Sequence, residues 1–355
     1  VVPFGSAPGS GERIGFYLRV PIGVVAAITP FNFPLNLALH KVAPALAAGN
    51  SVILKPASAT PLTSELLCQL LLDAGLPSRA ISLVTGKREE VGEALVRDEG
   101  VRMITFTGSL EVGKRIMGGL GLKKATMELG SNSAVIVERD ALLSEALPRI
   151  RDGAFALAGQ VCISVQRVYV QEGIYDEFLS GFIPLAQELK SGDPLDETTD
   201  MGPMISPQAA QRAREWVEEA MERGGKLLCG GEIEGSFMQP TVLAQVSRDC
   251  RVCSQEAFAP LVVVNPYTEL DEAIEEVNNS IYGLQAGIYT QDLDRALKAA
   301  RKIEVGGVII NDIPTFRVDL MPYGGVKGSG LGREGPKYAR EEFTQPKLVS
   351  IKLHK

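Results

Sequence analysis

Short apolar runs alternate along this chain with longer stretches whose apolar residues recur at helical spacing. Residues 13–20 (RIGFYLRV) have strand composition, and Pro21-Ile22-Gly23 turns them into a second apolar strand at 24–28. After an irregular TPFNFPL segment, a helix runs over about 36–48, with Pro44 inside it, and stops at Gly49-Asn50; residues 51–55 form a buried strand by their VIL run. The next helix has Thr60 as N-cap and Pro61 at its first position. Its apolar face holds Leu66, Leu67, Leu70 and Leu71, and Gly75 and Pro77 close it. Strands at 81–84, 103–106 and 125–129 then alternate with helices at 89–96 and 110–117. A second αβ unit starts near Ser131, with strands at 134–137, 167–171, 286–290 and 308–311 and helices around 175–190, 207–223 and 292–302. No internal repeat or low-complexity linker interrupts the pattern. Such alternation predicts an α/β fold, a mostly parallel sheet covered by helices, with ligand sites at the carboxyl ends of its strands.

Two segments fall at such ends. Phe106-Thr107-Gly108-Ser109, with Gly113 four residues on, sits at a strand-to-helix turn, where free backbone N–H groups and the helix dipole favour a phosphate. A βα turn also uses Gly and a Ser cap for structural reasons alone, and the G-x-G-x-x-G fingerprint is absent, so the turn by itself decides nothing. In LKPAS, Lys55 follows a buried strand and can donate to a ribose, or it can simply snorkel to solvent.

The reactive side chains cluster in residues 127–166. Cys162, in AGQVCIS, attacks carbon only as a thiolate. A histidine partner is nearly excluded, because His40 lies in an apolar helical run and His354 is one residue from the last. Proton handling falls to a carboxylate, and Glu128 in MELGS is best placed, at a strand end beside Gly130, Ser131, Asn132 and Ser133. Taken singly, a cysteine is more often a small buried hydrophobe, and a strand-end glutamate a solvated charge.

Composition narrows the function. The 355 residues, 45% hydrophobic and 22% charged, suffice for two cores. A net charge of −7 without a Lys/Arg run gives no footprint for nucleic acid or an anionic membrane, which leaves a small-molecule role. Pro21, Pro30, Pro34, Asn32 and Asn36 break the apolar segment 21–39, so no membrane span is predicted. Five cysteines without dense spacing point to a reducing, cytoplasmic location. Cys250 and Cys253 form a C-x-x-C but lack two further ligands at matching spacing, so no metal is expected, and they read as two ordinary thiols on the approach to a strand. The opening VVPFGSAPGSGE has neither a Met nor a signal-peptide layout.

Joined together, E-L-G at 128–130 and G-Q-x-C at 159–162 resemble the aldehyde dehydrogenase superfamily, and so do F-T-G-S with Gly113, LKPAS, T-P-F-N-F-P at 29–34, Q-E-A-F-A-P at 255–260, P-Y-G-G-V-K-G-S-G-L-G-R-E-G at 322–335 and the final E-F-T-Q-P-K-L-V-S-I-K. The resemblance covers essentially the whole chain. It implies a variant Rossmann-like cofactor domain (22–130), a second α/β catalytic domain (131–330) and a small β oligomerisation arm built from 1–21 and 331–355. It implies a homodimer or homotetramer, and NAD or NADP as cofactor. By resemblance Cys162 is the nucleophile, Glu128 the base for thioester hydrolysis and Asn32 an oxyanion donor. Thr29, Pro30, Phe31, Lys55, Ser58, Gly108, Ser109, Gly113, Leu129, Glu256 and Phe258 then face the cofactor. Lys55 would hold the adenosine ribose, Glu256 the nicotinamide ribose, and Phe258 would pack by the nicotinamide.

Ser58 falls where many NAD-preferring members carry Glu, so NADP is expected to be tolerated or preferred. Ser131 stands where a second Gly is commoner, a small-for-small change. Members generally carry a long segment before R-x-P-x-G-V, here Arg19 to Val24, and this chain reads as truncated there. The substrate loop corresponds to 311–323, in which Arg317 either attracts a substrate carboxylate or pairs with Asp319, the local pair being slightly favoured. The loop resembles that of lactaldehyde and semialdehyde enzymes, and Val161 weakly disfavours phosphorylated aldehydes. Two rivals stand beside the hydrolytic reading: a CoA-acylating relative, against which Glu128 counts, and a non-catalytic scaffold that keeps the fold.

Overall fold

The structure, a computed structural model, describes residues 12–353 together with residues 2, 4 and 8. His354 lies outside the described residues. The chain divides into two compact units, one made of Val1–Met127, Asp319–Pro322 and Gly332–Lys355, the other of Glu128–Val318 and Tyr323–Leu331.

In the first unit, β1 (Arg13–Pro21) precedes β2 (Val24–Ile28), α1 (Asn36–Ala47), β3 (Ser51–Lys55), α2 (Pro61–Asp73), β4 (Ile81–Leu83), α3 (Glu93–Arg97), β5 (Val101–Thr107), α4 (Leu110–Gly119) and β6 (Lys124–Glu128), whose last residue opens the second unit. The strands run in the order β6-β5-β2-β3-β4, with β2 parallel to both β3 and β5 and β3 parallel to β4. Val25 and Ala27 of β2, Val52 and Leu54 of β3 and Met103 of β5 meet Ala38, Val42 and Ala45 of α1 in one apolar cluster. Pro44 sits inside α1 without ending it.

The helix α2 differs from its expected face. Leu66 and Leu70 are about 60% and 58% exposed, and the buried side is Ser64, Leu67 and Cys68. Four leucines within six positions cannot all share one side of a helix, since 3.6-residue periodicity sends Leu62, Leu66 and Leu70 along their own stripe. Thr60 is the N-cap residue and Pro61 opens the helix, yet the Thr60 side chain makes no capping bond. The helix expected over 89–96 is a π-turn, Arg88–Gly92, followed by the five residues of α3.

In the second unit, β7 (Ala134–Val137), α5 (Leu143–Phe155), β8 (Arg167–Gln171), α6 (Tyr175–Gln187), α7 (Pro207–Glu222) and β9 (Lys226–Cys229) come first. A two-stranded hairpin, β10 (Ile233–Glu234) and β11 (Phe237–Met238), leads to β12 (Thr241–Ala244), α8 (Arg251–Ser254), β13 (Leu261–Tyr267), α9 (Leu270–Asn278), β14 (Gln285–Tyr289), α10 (Leu293–Lys302), β15 (Gly307–Ile310) and β16 (Gly330–Leu331). The main sheet has the order β15-β14-β7-β8-β13-β12-β9 and is parallel except for β9. Alternate side chains of its strands feed two clusters. Val135, Val168, Val170 and Val263 pack with α5, α6 and α7, and Ala134, Ile136, Ala286 and Ile288 pack with α9 and α10. Strand alternation therefore places helices on both faces, as a buried parallel sheet requires.

Sequence pattern missed α5, which contains Pro148 and Gly153, and β13, which contains Pro266. Cys250 and Cys253 lie on a helical turn rather than an extended approach: Cys250 is the N-cap of α8, and both side chains are buried. In the first unit α11 (Pro336–Glu342) and β17 (Thr344–Lys352) complete the chain, and β17 pairs antiparallel with β1 from Arg13↔Lys352 to Pro21↔Thr344. No helix among the described residues is long and apolar enough to cross a membrane.

Candidate active site

In the second unit, the buried Glu128 ends β6 and the chain leaves through Leu129-Gly130-Ser131. Ser329, fully buried, holds that exit. Its carbonyl accepts the Leu129 N–H at 2.9 Å, and its hydroxyl donates to the Gly130 carbonyl at 2.7 Å while accepting the Gly283 N–H at 2.9 Å. Gly130 is required by a close approach: a Cβ there would stand 2.3 Å from Glu256 Oε2. Glu256 Oε1 in turn accepts the Ser131 N–H at 2.9 Å. Gln166 ties the same two segments, donating to the Ser131 carbonyl at 3.3 Å and accepting the Ala257 N–H at 3.1 Å. The ELGS and QEAFAP motifs are thus one assembly. Phe258 follows in left-handed backbone, φ 49°, a conformation costly for an aromatic residue.

Cys162 is delivered by an equally constrained turn. After α5, Leu157 and Ala158 take φ of 51° and 52°, and Gly159 takes 67°. A side chain at 159 is excluded twice, by that φ and by the Ala259 carbonyl oxygen, 2.0 Å from a built Cβ. Gln160 then pins the turn by accepting the Ile205 N–H at 2.9 Å and donating to the Leu157 carbonyl at 3.2 Å. All five cysteines are free thiols, and Cys162 alone among them is not fully buried. Its Sγ lies 3.0 Å from Tyr323 Oη, and the Arg317 guanidinium carbon is 3.8 Å from the centre of the Tyr323 ring.

Burial of its sulfur pushes the Cys162 thiol up to about 12; the Tyr323 hydrogen bond works against that, the Glu128 and Glu256 carboxylates add to it, and Arg317 opposes it. Burial likewise pushes the Glu256 carboxyl up to about 7, against the lowering influence of the Ser131 N–H and Arg212. Asp319, the favoured partner of Arg317 by sequence, stands in the first unit with its Oδ1 3.7 Å from His40 Nε2, while Arg317 lies over the Tyr323 ring in the second.

The remaining candidates gather in the first unit, at the carboxyl ends of the adjacent strands β5, β2 and β3. Thr29 follows β2 and donates its N–H to the Lys55 carbonyl at 3.1 Å. Pro30 and Phe31 are partly buried and Asn32 is buried. Lys55 ends β3, itself buried, with Nζ donating to the Pro56 carbonyl at 3.1 Å. Ser58 is exposed and donates to the Gly86 carbonyl at 3.4 Å. After β5, a Cβ on Gly108 would lie 2.4 Å from the Phe106 ring; Ser109 caps α4 by accepting the Val112 N–H at 3.4 Å, and the buried Gly113 donates its N–H to the Ser109 carbonyl at 3.0 Å. Thr107 Oγ1, buried at this rim, makes no hydrogen bond within the described chain. A buried hydroxyl, an ammonium and the N-terminus of a ten-residue helix along one rim fit a ligand carrying phosphates and ribose hydroxyls.

Sequence reasoning missed Thr107, Gln160, Gln166, Tyr323 and Ser329. Tyr323, Gln166 and Ser329 are polar residues whose partners lie far off in sequence, whereas Thr107, which makes no hydrogen bond within the described chain, stood inside the FTGS segment and Gln160 inside GQVC.

A thiol under the influence of a carboxylate charge in one unit, and a rim suited to phosphates and ribose in the other, are each features found in oxidoreductases. The chain matches the aldehyde dehydrogenase family over residues 5–349 and belongs to that family. It is 53% identical over 99% of its length to the 3-sulfolactaldehyde dehydrogenase of Priestia megaterium, of which it covers 74%. Among solved structures it is similar to the glyceraldehyde-3-phosphate dehydrogenase GapN of Methanocaldococcus jannaschii complexed with NADP, at TM-score 0.93 and 45% identity, over 96% of this chain and 75% of that one. It is similar also to aldehyde dehydrogenase 21 of Physcomitrella patens in complex with the reaction product succinate, at TM-score 0.96 and 43% identity, over 99% and 73%. The architecture is that of the family: a Rossmann-like NAD(P)-binding domain, an α/β catalytic domain and a small β arm. The reaction is the oxidation of a small aldehyde to the carboxylic acid with NAD or NADP, through the family's Cys/Glu mechanism.

The raised Glu256 carboxyl has a stability consequence. In the unfolded chain it ionises in the ordinary carboxylate range near 4.5, and in the folded protein only near about 7. Folding stability from this group is therefore fully present below pH 4.5 and is lost as pH rises through about 7. Glu256→Gln should flatten that part of the profile, measured as urea midpoints from pH 4.5 to 8; an unchanged slope would contradict it.

Proposed function

We propose that Cys162 is the nucleophile and Glu128 the general base of this chain, acting on a small aldehyde that carries an anionic group. The observation that carries this is that the one cysteine not fully buried lies within reach of the Glu128 carboxylate charge. With its proton released to solvent, the Cys162 sulfur forms a bond to the aldehyde carbon as the thiolate, and the carbonyl π electrons pass to oxygen, where Asn32 is the side-chain donor by resemblance and the Cys162 N–H the backbone donor. Bound NAD or NADP supplies the acceptor for the hydride that the thiohemiacetal carbon loses. Glu128 then takes a proton from water as the water oxygen bonds to the thioester carbon, and the carbon–sulfur bond breaks to return the thiolate and release the acid. Lys55 and Ser58 hold the adenosine ribose in this reading, Ser109 with Gly108 and Gly113 the phosphates, and Glu256 the nicotinamide ribose. Thr29, Pro30, Phe31, Leu129 and Phe258 complete its walls. The domain borders follow at residues 21, 130 and 330.

The anionic substrate is supported by Arg317, whose charge acts on Cys162, and by the relatives, whose names carry sulfolactaldehyde, glyceraldehyde phosphate and succinate. Among these, carboxylate or sulfonate is favoured over phosphate, since Val161 offers no charge beside the nucleophile.

The test is nicotinamide reduction by short aldehydes matched with and without a carboxylate or sulfonate, in the parent, Cys162→Ala and Glu128→Gln. The expected result is activity highest on anionic members, none in Cys162→Ala, and in Glu128→Gln about one equivalent of reduced cofactor per site, followed by turnover roughly a hundredfold slower or more. Full steady turnover in either variant would remove that residue from the mechanism.

Ser58 leaves room for a 2′-phosphate that a Glu would repel, so NADP is accepted at least as well as NAD. Ser58→Glu should raise the Michaelis constant for NADP about tenfold or more relative to NAD, and an unaltered ratio would speak against this placement.

The β1–β17 ribbon serves as an oligomerisation arm, since Ile14, Tyr17, Leu18, Leu348 and Ile351 lie about half exposed along it. Light scattering should return a dimer or tetramer, and a monomer at micromolar concentration would count against the arm.

A further inference from the structure

The hydrogen bond between Tyr323 and Cys162 has no part in the reading above. Tyr323 is buried, packs in an apolar niche with Ile163 and Leu284, and carries the Arg317 guanidinium on its ring face. Phenylalanine would fill the same niche, so packing does not call for the hydroxyl. In the resting thiol either atom of the 3.0 Å contact can donate. Once the sulfur has ionised it has no proton, and the hydroxyl must be the donor. Burial holds the Tyr323 phenol well above its usual range, so it keeps its proton while the thiol loses one. A hydroxyl fixed on a buried anion favours the charged form. Arg317 over the ring face draws electron density from the ring and strengthens the phenol as a donor while it fixes the ring in place.

We propose that Tyr323 is a positioning residue that holds the sulfur of Cys162 in one orientation and stabilises its thiolate, with Arg317 pinning the Tyr323 ring. The inference rests on Cys162 being the nucleophile. Tyr323 makes and breaks no covalent bond. Its hydrogen bond weakens when the sulfur shares its electron pair with the substrate carbon, which frees the sulfur at the moment of attack.

The magnitude follows from two opposing effects. A charge-assisted hydrogen bond in a buried site moves the thiol titration by about one to two pH units. A more acidic thiolate is also less nucleophilic, by about threefold per unit, so of each tenfold gain in thiolate about threefold survives as rate.

The experiment is alkylation of Cys162 by iodoacetamide, with the Cys162 peptide quantified by mass spectrometry, from pH 6 upward in the parent, Tyr323→Phe and Arg317→Met. Tyr323→Phe is expected to slow alkylation at pH 7.5 about three- to tenfold and to move the rate profile up by about one to two units. Arg317→Met keeps the hydroxyl and is expected to move it in the same direction by less. A Tyr323→Phe profile that coincides with the parent's overturns the proposal. If that variant does not fold, as judged by circular dichroism, Tyr323→Met takes its place under the same criterion, because the Arg317 charge also acts on the sulfur directly and Arg317→Met cannot decide alone. Iodoacetamide is uncharged, so loss of an anion-binding role of Arg317 does not enter. Turnover in Cys162→Ala reports separately on whether Cys162 is the nucleophile.

Discussion

Much of the catalytic unit depends on one close approach, that of the Glu256 carboxylate to the backbone at Gly130 and Ser131. Because residue 130 has no side chain, an acidic group from a segment some 125 positions away reaches the Ser131 amide. Gln166 then binds both segments, and Ser329 binds the other side of the same turn. Glu128, two residues before Gly130, ends the strand that leads into that framework. A framework of side-chain-to-backbone hydrogen bonds from three distant segments is stiff, and stiffness is what a base needs when it must meet a water at one angle.

The electrostatics are organised against the nucleophile. Two carboxylates and burial oppose the thiolate of Cys162, and only a phenol and a guanidinium favour it among the influences acting on the sulfur. Such a thiol rests in its protonated form at neutral pH, which protects it from the oxidation that a permanently ionised, partly exposed thiolate invites. The family's hydrolytic step needs the carboxylate nearby, so the suppression of the thiol follows from having both groups in one site.

Much of this was legible in the sequence, for physical reasons that differ between elements. Alternating strand and helix patterns located β2, β3, β5, β7 and β8 because buried parallel strands need continuous apolar runs. The pair Glu128 and Cys162 was singled out by the E-L-G and G-Q-x-C motifs and their resemblance to the aldehyde dehydrogenases, since among 43 acidic residues and five cysteines residue type alone could not choose them. The outward stripe of α2 was misread because leucine count was taken for leucine direction. Tyr323 and Ser329 escaped because their partners, at 162 and 130, are set by tertiary folding, and nothing in a tyrosine or a serine announces a partner that far away. The C-x-x-C at 250 was placed on an extended approach because a four-residue helix is too short to leave a periodicity.

The Ser329 hydroxyl meets the Gly130 carbonyl across 199 positions of sequence. Contacts of such separation carry the largest loop-closure cost and form late, and a chain emerging from the ribosome cannot form this one until residue 329 has been made. The turn that seats Glu128 therefore closes only when the late part of the chain has been made. A nascent chain therefore carries a cysteine at 162 well before it carries a finished site, so the capacity to modify aldehydes arrives with the fold and not with the residue.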